Sequence, residues 1–310
     1  MSIDLICMGE PMLEFNQQTP GADGRMLYLE GFGGDTSNAA VAAARAGASV
    51  AYVTAVGRDE AGARFIDFWR GEGIDTSAVL ERSGQPTASY VVTHGKDGHA
   101  FLYYRAGSAA SFYAPADVPT ELIANAKILF ASGISQGISN SAADAVFHAI
   151  DIARAAGVRV AYDTNYRPRL WPKARAAAVM HAAVAHADIA LPSLEDAVTL
   201  TGLTRPSDIV DFYLRMGPSI VVLKLGAQGA LLGTADGQVA IPPHPCTPID
   251  GTGAGDTFCG SFLARLLAGD TPLLACQYAG AAAAIKTEGY GAVAPMPRAA
   301  KVMAALGRAT

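Results

Sequence analysis

Strand-length apolar runs recur along this 310-residue chain, with helical stretches between them. The runs lie at residues 4–8, 50–56, 128–131, 158–162, 189–191 and 220–223, most of them bounded by Gly, Asp, Asn or Ser. The clearest helical stretches lie at 39–46, 61–71, 141–156, 174–187 and 209–216. A strand that is apolar throughout must be covered on both faces. A parallel pair also needs a long crossover, which a helix supplies. The alternation therefore predicts an α/β fold, a mostly parallel sheet with helices on both sides. The last third turns helical, at 254–268, 273–287 and 298–307.

Two regions break this rhythm. Residues 12–32 alternate apolar and polar side chains and carry turn signals at Pro20-Gly21 and Asp23-Gly24. Residues 87–105 read as a hairpin, with strands at 87–93 and 100–105 and a turn at Gly95-Lys96-Asp97-Gly98. Both regions are expected as antiparallel strands outside the main sheet. They would form a small β lid on one domain covering 1–310 rather than a separate folding unit.

The composition, 51% hydrophobic and 16% charged, suits a large buried core. Net charge is −5 and no stretch is strongly basic, so nucleic acid is not an expected partner. Cys7, Cys246, Cys259 and Cys276 form no C-x-x-C pair and have no histidine cluster beside them. They are expected to be small buried hydrophobes in a reducing compartment. The Ala-rich run at 273–285 is broken by Gln277, Tyr278 and Gly280 and is too short to cross a bilayer. The expectation is a cytoplasmic protein with no membrane contact.

The strongest local signal is Asp250-Gly251-Thr252-Gly253-Ala254-Gly255-Asp256, which opens an apolar helical run. Glycines let the backbone turn tightly and expose successive N–H groups, and the positive end of the helix points at the same spot. Such a turn suits a phosphate. A carboxylate beside it, here Asp256, is placed to accept the proton of an attacking hydroxyl. No G-K-[ST] follows, so this is not a Walker loop. A plain strand-to-helix turn accounts for the spacing equally well.

The D-x-x-G-A-G-D pattern resembles the second signature of the ribokinase (PfkB) family of carbohydrate kinases. The first signature has a counterpart in Gly33-Gly34-Asp35-Thr36-Ser37-Asn38-Ala39-Ala40, followed by Val56-Gly57-Arg58-Asp59. The resemblance runs from Met8-Gly9-Glu10 to Glu288-Gly289. It implies a ribokinase-like three-layer α/β/α fold and transfer of the γ-phosphate of ATP to a sugar hydroxyl. Asp256 would be the base, and the amides of Gly253, Ala254 and Gly255 the anion hole. Gly33, Gly34, Asp35 and Asn38 would hold the sugar. From physics alone, Asp35 or Ser37 could instead cap the helix that follows.

Tyr103-Tyr104-Arg105 ends the second lid strand, and Asp163-Thr164-Asn165-Tyr166-Arg167-Pro168-Arg169-Leu170-Trp171 follows the strand at 158–162. In open α/β sheets ligands gather at the carboxyl ends of strands. An arginine fork matches a carboxylate or phosphate in two-point contact. With Gly34, these segments resemble the members of the family that phosphorylate 2-keto-3-deoxygluconate. That implies Tyr90, Tyr103, Arg105 and Arg167 as substrate contacts, with Asn165 and Arg167 beside the nucleotide phosphates. Arg169 is expected to be solvated or structural, and Trp171 to bury its ring. Two buried arginines without an anion would be costly, which favours a sugar acid over fructose or ribose. A galactonate-derived epimer would keep the carboxylate. A sugar sensor without catalysis would have been free to lose Asp256.

The resemblance extends to the nucleotide side. Lys224, Gly226 and Gly229 match a K-x-G-x-x-G turn on which ATP rests, although a hairpin turn explains the glycines too. The family's N-x-x-E, whose Glu orders hydrated Mg²⁺, reads here as Ser193 with Glu195 and Asp196. Either carboxylate could serve. The helix at 273–287 and the turn at 288–292 would flank adenine, and a monovalent cation near the Asp250 loop is possible. The exposed face of the lid suggests a homodimer or larger homo-oligomer.

Overall fold

The computed structural model describes residues 3–95 and 98–308. Among the described residues thirteen strands form two sheets: β1 (Leu5–Met8), β2 (Met12–Gln17), β3 (Tyr28–Gly33), β4 (Val50–Gly57), β5 (Val79–Arg82), β6 (Ala88–Gly95), β7 (Gly98–Tyr104), β8 (Ile128–Ser132), β9 (Arg159–Asp163), β10 (Ile189–Ala190), β11 (Ile220–Lys224), β12 (Ala230–Thr234) and β13 (Gly237–Ile241). Nine of them build the large sheet in the order β13-β12-β11-β10-β9-β8-β1-β4-β5. All its neighbours run parallel except β11–β12 and β12–β13.

The central strands are apolar throughout because helices cover both faces. Along β1, Leu5 and Cys7 point into one core and Ile6 and Met8 into the other. The first core takes side chains from the helices Asp35–Arg45, Glu60–Gly71 and Ala254–Leu267, and the second from Asn140–Ala155, Lys173–Ala185 and Pro206–Met216. This is the ribokinase-like three-layer arrangement expected from the sequence. Local chemistry agrees with it. Asp59 caps its helix by accepting from the Gly62 amide at 2.8 Å, and Ser139 does the same from Ala142 at 3.0 Å.

Chain order reverses beside β1. The chain builds outward through β4 and β5, then returns to the other side of β1 for β8 and onward. A reversal of this kind leaves a crevice at the carboxyl ends of the strands. The carboxyl ends of β1 and β8 are Met8 and Ser132, so the crevice opens beside Gly9-Glu10 and Ser132.

The second sheet, ordered β3-β2-β6-β7, is the lid. It is not purely antiparallel as expected, because its middle pair β2–β6 runs parallel. Of the expected hairpin turn, Lys96 and Asp97 lie outside the described residues. Three strands escaped the sequence: β5, β12 and β13. All three are short, β5 and β13 form the two edges of the large sheet, and β12 and β13 hold Gly233 and Gly237 where a core strand would hold apolar side chains. Cys7, Cys259 and Cys276 are buried as expected, but Cys246 is exposed. It lies in a loop between β13 and the Asp250 turn, outside either core.

Candidate active site

One long cleft of about 1730 Å³ runs between the lid and the carboxyl ends of the large sheet. A single small ligand needs about 300–1000 Å³, so there is room for two. Gly34, Asp35, Asn38, Tyr90, Tyr103 and Arg105 border one end. Asp163, Asn165, Arg167, Ser193, Glu195, Asp196, Lys224 and Gly226 border the other, and Gly253, Gly255 and Asp256 lie among them. Residues separated by more than 200 positions thus meet: Asn38 Nδ2 donates to Asp256 Oδ2 at 2.8 Å.

The Asp256 carboxyl is half-buried in the first turn of the helix Ala254–Leu267. Loss of water and the nearby Asp35 and Asp163 carboxylates raise its pKa to about 7, against the Asn38 bond and the Lys224 charge, which lower it. Gly253 is the N-cap residue, with φ 74, and a Cβ there would meet the Ala292 carbonyl at 3.0 Å. The expected three-amide hole needs one correction. The Ala254 amide already donates to the Gly251 carbonyl at 3.1 Å. Among the described residues the amides of Gly253, Gly255 and Asp256 have no backbone acceptor, so these three face the cleft end of the helix.

Asp35 does not cap its helix. Gly34 is the N-cap residue, with φ 100 and no side-chain cap, and a Cβ there would strike the Glu10 carbonyl at 2.3 Å. The Asp35 carboxylate instead accepts from Ser132 Oγ and, at 3.0 Å, from Asn165 Nδ2. Ser37 does not cap either, and its Oγ accepts from Trp69 Nε1 at 3.0 Å. Asp35 Oδ1 and Asn38 Oδ1 are shut off from solvent and have no hydrogen-bond partner among the described residues. Asn165 has φ 33, a left-handed backbone uncommon for a side-chain-bearing residue and frequent at functional sites. Gly33 does not border the cleft. Its missing Cβ makes room for the Tyr90 hydroxyl, which would lie 2.6 Å from it.

The arginines are not the buried unpaired cations the sequence suggested. Arg105 is paired with Glu10, whose other oxygen accepts from Ser108 Oγ at 2.6 Å. Among the described residues Arg105 Nε is buried without a partner, and the guanidinium lies 5.9 Å from the centre of the Tyr103 ring. Arg167 is exposed at the cleft, and among the described residues its only hydrogen bond is to the Tyr166 carbonyl at 2.9 Å. Arg169 donates to the Phe101 carbonyl of β7 at 2.7 Å, a bond from sheet to lid. Trp171 is buried as expected.

At the other end of the cleft Lys224 Nζ donates to Asp163 Oδ2 at 2.6 Å. Burial works against the ammonium, but Asp163 and the surrounding anions outweigh it and raise the pKa. Gly226 has φ 59 with open space beside it, as a ligand-facing turn needs. Gly229 does not border the cleft. Its Cβ would strike the Ile241 carbonyl at 2.1 Å, so the hairpin alone explains that glycine. Ser193 caps the helix Leu194–Thr201 by accepting from the Asp196 amide at 3.2 Å. Glu195 is exposed, whereas Asp196 is half-buried, and burial with Asp163 nearby raises its pKa despite Ser193, Arg167 and Lys224. Among the described residues no three Asp, Glu, His or Cys side chains converge as a metal site.

Sequence reasoning missed Glu10, Glu14, Ser132 and Lys286. Glu14 shares a lid face with Met12 and Asn16 at alternate positions. Lys286 lies four residues after buried Ala282 on a helix stripe, a spacing that could have revealed both. Among the described residues no helix is long and apolar enough to cross a membrane.

The sequence and the fold resemble those of known proteins. The chain is 34% identical over 309 residues to the 2-dehydro-3-deoxygluconokinase of Thermoproteus tenax, covering 96% of this chain and 93% of that one. A PfkB protein from Polaromonas sp. JS666 superposes with a TM-score of 0.89 at 30% identity, covering 98% and 100% of the two chains. A fructokinase with bound ATP from Xylella fastidiosa shares the fold, with a TM-score of 0.89 at 24% identity and 99% of each chain covered. The model of pfkB family carbohydrate kinases matches residues 4–299, which takes in the Gly33-Gly34 turn, both ends of the cleft and the Asp250–Asp256 loop: the chain belongs to that family and is a carbohydrate kinase.

Proposed function

We propose that this kinase transfers the γ-phosphate of ATP to the 6-hydroxyl of 2-keto-3-deoxygluconate, with Asp256 as general base. The observation that carries this is the pair of orphaned acceptors, Asp35 Oδ1 and Asn38 Oδ1, beside the Asp256 carboxylate. Buried acceptors without donors call for hydroxyls, and a polyol supplies them. Tyr90, Tyr103 and Gly34 would shape the same end. Arg167, with no carboxylate bonded to it, and the free Nε of Arg105 would take the acid group. Since Arg105 is neutralised by Glu10, Arg167 carries most of the preference for an anion.

The Asp256 carboxylate takes the proton as the substrate oxygen bonds to phosphorus and the bond to the β-phosphate oxygen breaks, releasing ADP. The amides of Gly253, Gly255 and Asp256 receive the charge that develops on the phosphoryl oxygens. Asn165, Ser193, Lys224 and Gly226 would line the nucleotide, with the helix Pro272–Lys286 and the turn at 288–292 beside adenine. Mg²⁺ bound with ATP would neutralise phosphate charge. Asp196, a carboxylate strained by burial and facing the cleft, suits its hydrated shell better than exposed Glu195. A monovalent cation at the Asp250 loop would meet Lys286 there.

The exposed lid side chains Leu29, Leu102 and Tyr104 suit a homo-oligomeric contact in a cytoplasmic enzyme, which light scattering reads directly. The deciding assay couples ADP release to purified protein with Mg·ATP and compares 2-keto-3-deoxygluconate, its galactonate epimer, fructose and ribose. Turnover confined to the keto-deoxy acids is the expected result. Preference for a neutral sugar would overturn the roles given to Arg105 and Arg167.

A further inference from the structure

Lys286 closes the helix Pro272–Lys286 and is fully buried, an unusual place for an ammonium. Its Nζ donates to the main-chain carbonyl of Asp250, the first residue of the phosphate loop, at 2.9 Å. Asp250 is held on every side by the same C-terminal segment. Its amide donates to the Thr287 carbonyl at 3.0 Å, and its carboxylate accepts from the Gly291 amide at 2.8 Å and from Thr252 N and Oγ1 at 2.8 and 2.7 Å. The lid reaches the same place. Glu14 on β2 is buried, accepts from the Tyr90 hydroxyl at the sugar end of the cleft, and has Oε1 3.6 Å from where a Cβ of Gly291 would stand.

We propose that Lys286 is a positioning residue for phosphoryl transfer, a resident cation that fixes the first residue of the phosphate loop and ties that loop to the sugar-binding lid through Glu14. Burial opposes both charges, and each favours the ionised form of the other: burial lowers the Lys286 pKa while Asp250, Glu14 and Asp256 support it, and burial raises the Glu14 pKa while Tyr90, Asn16 and Lys286 support its carboxylate. A neutral side chain at 286 would leave the Asp250 carbonyl without its donor and remove a positive charge that favours the Glu14 carboxylate. A hydrophobic packing residue would do neither job, and the stripe around it, Tyr278, Ala281, Ala282 and Ile285, needs no ammonium to fill it. The loop would loosen where the transferred phosphoryl is received.

This rests on the phosphate-loop role proposed above, so the test separates the two. In the full chain, Lys286→Met should lower kcat at least about 30-fold, because a displacement of about 1 Å costs on the order of 100-fold, with the KM of the sugar changed far less. Lys286→Ala should regain activity with ammonium chloride and not with choline chloride of equal strength, while the unmodified enzyme responds to neither. A kcat for Lys286→Met within twofold of the original, or no response of Lys286→Ala to ammonium, overturns the proposal. Should both single variants fail to fold, Glu14→Gln with Lys286→Met removes both charges. Recovered folding with low kcat supports the proposal, and recovered folding with full kcat refutes it. Gly255→Asp places a negative charge in the hole itself. If that change leaves ATP affinity intact, the phosphate-loop reading has failed, whatever Lys286 does.

Discussion

The two ends of the cleft are built in opposite ways. At the end proposed for phosphate the side chains hang from the large sheet and its helices and are paired: Lys224 with Asp163, and Asn165 and Asp256 with the sugar-end residues Asp35 and Asn38. At the sugar end Tyr90, Tyr103 and Arg105 hang from a four-stranded sheet whose other side chains, among them Leu29, Leu102 and Tyr104, stay exposed. Two of the bonds that join it to the core are Arg105 to Glu10 and Arg169 to the Phe101 carbonyl. The difference implies a division of labour. Groups fixed in advance by a rigid core lower the barrier, whereas groups on a separately attached sheet select and enclose the substrate. Damage at the first end should therefore appear in kcat, and at the second in KM.

Asp256→Asn is the strongest test of that division. Loss of a general base costs about 100- to 10,000-fold in kcat, with sugar KM nearly unchanged because the Asn38 contact and the orphaned acceptors survive. The same variant should melt at a higher temperature at pH 8. A carboxyl raised to about 7 holds a proton in the folded state that the unfolded chain releases near pH 4, so its contribution to stability falls as pH rises between those values. Asparagine removes that repulsion. A variant that lost activity and stability together would mean that Asp256 is structural. In the unaltered enzyme, kcat/KM should climb as pH rises through about 7 and the base ionises. A profile flat from pH 6 to 8 would count against it.

Arg105 and Arg167, both proposed to take the acid group, are held differently. Arg105→Met leaves Glu10, 1% exposed, without its partner, and should cost about 3 kcal/mol in a denaturant titration as well as raising sugar KM. The loss should grow with pH, since burial already raises the Glu10 pKa and the orphaned carboxylate is harder to ionise. Exposed Arg167→Met should leave stability within about 0.5 kcal/mol while raising KM for the keto acid about 10- to 100-fold. Equal loss of stability in both would erase the contrast.

The segments proposed for phosphate and sugar were legible because their chemistry is local. The Asp250–Asp256 loop, the Gly33-Gly34 turn and the Asn165–Arg167 segment each declare themselves within a few residues, and the cleft brings them together. What stayed hidden was set by distant partners. Glu10 and Arg105 are 95 positions apart, and nothing near either residue says that the arginine is already neutralised. Lys286 looked like the end of an alanine-rich helix. Gly229 matched a nucleotide motif, yet the packing of β13 against it suffices to require glycine. The edge strand β13 lacked the apolar run that made β4 and β8 obvious, because it is covered less completely, and β12 beside it offers only Ala230-Leu231-Leu232 before Gly233.

The smallest effect expected is at Arg169, and it bears on how the lid is held. Its bond to the Phe101 carbonyl spans the cleft without touching the reacting groups. An exposed hydrogen bond of this kind contributes about 0.5–1.5 kcal/mol, which is roughly two- to tenfold in an equilibrium. If the bond helps hold the lid over the bound sugar, Arg169→Ala should raise sugar KM by that factor and leave KM for ATP and the melting temperature unchanged, since the nucleotide rests on the sheet. A matching rise in ATP KM would mean instead that Arg169 acts through its neighbour Arg167, and that the two ends of the cleft are less separate than their construction suggests.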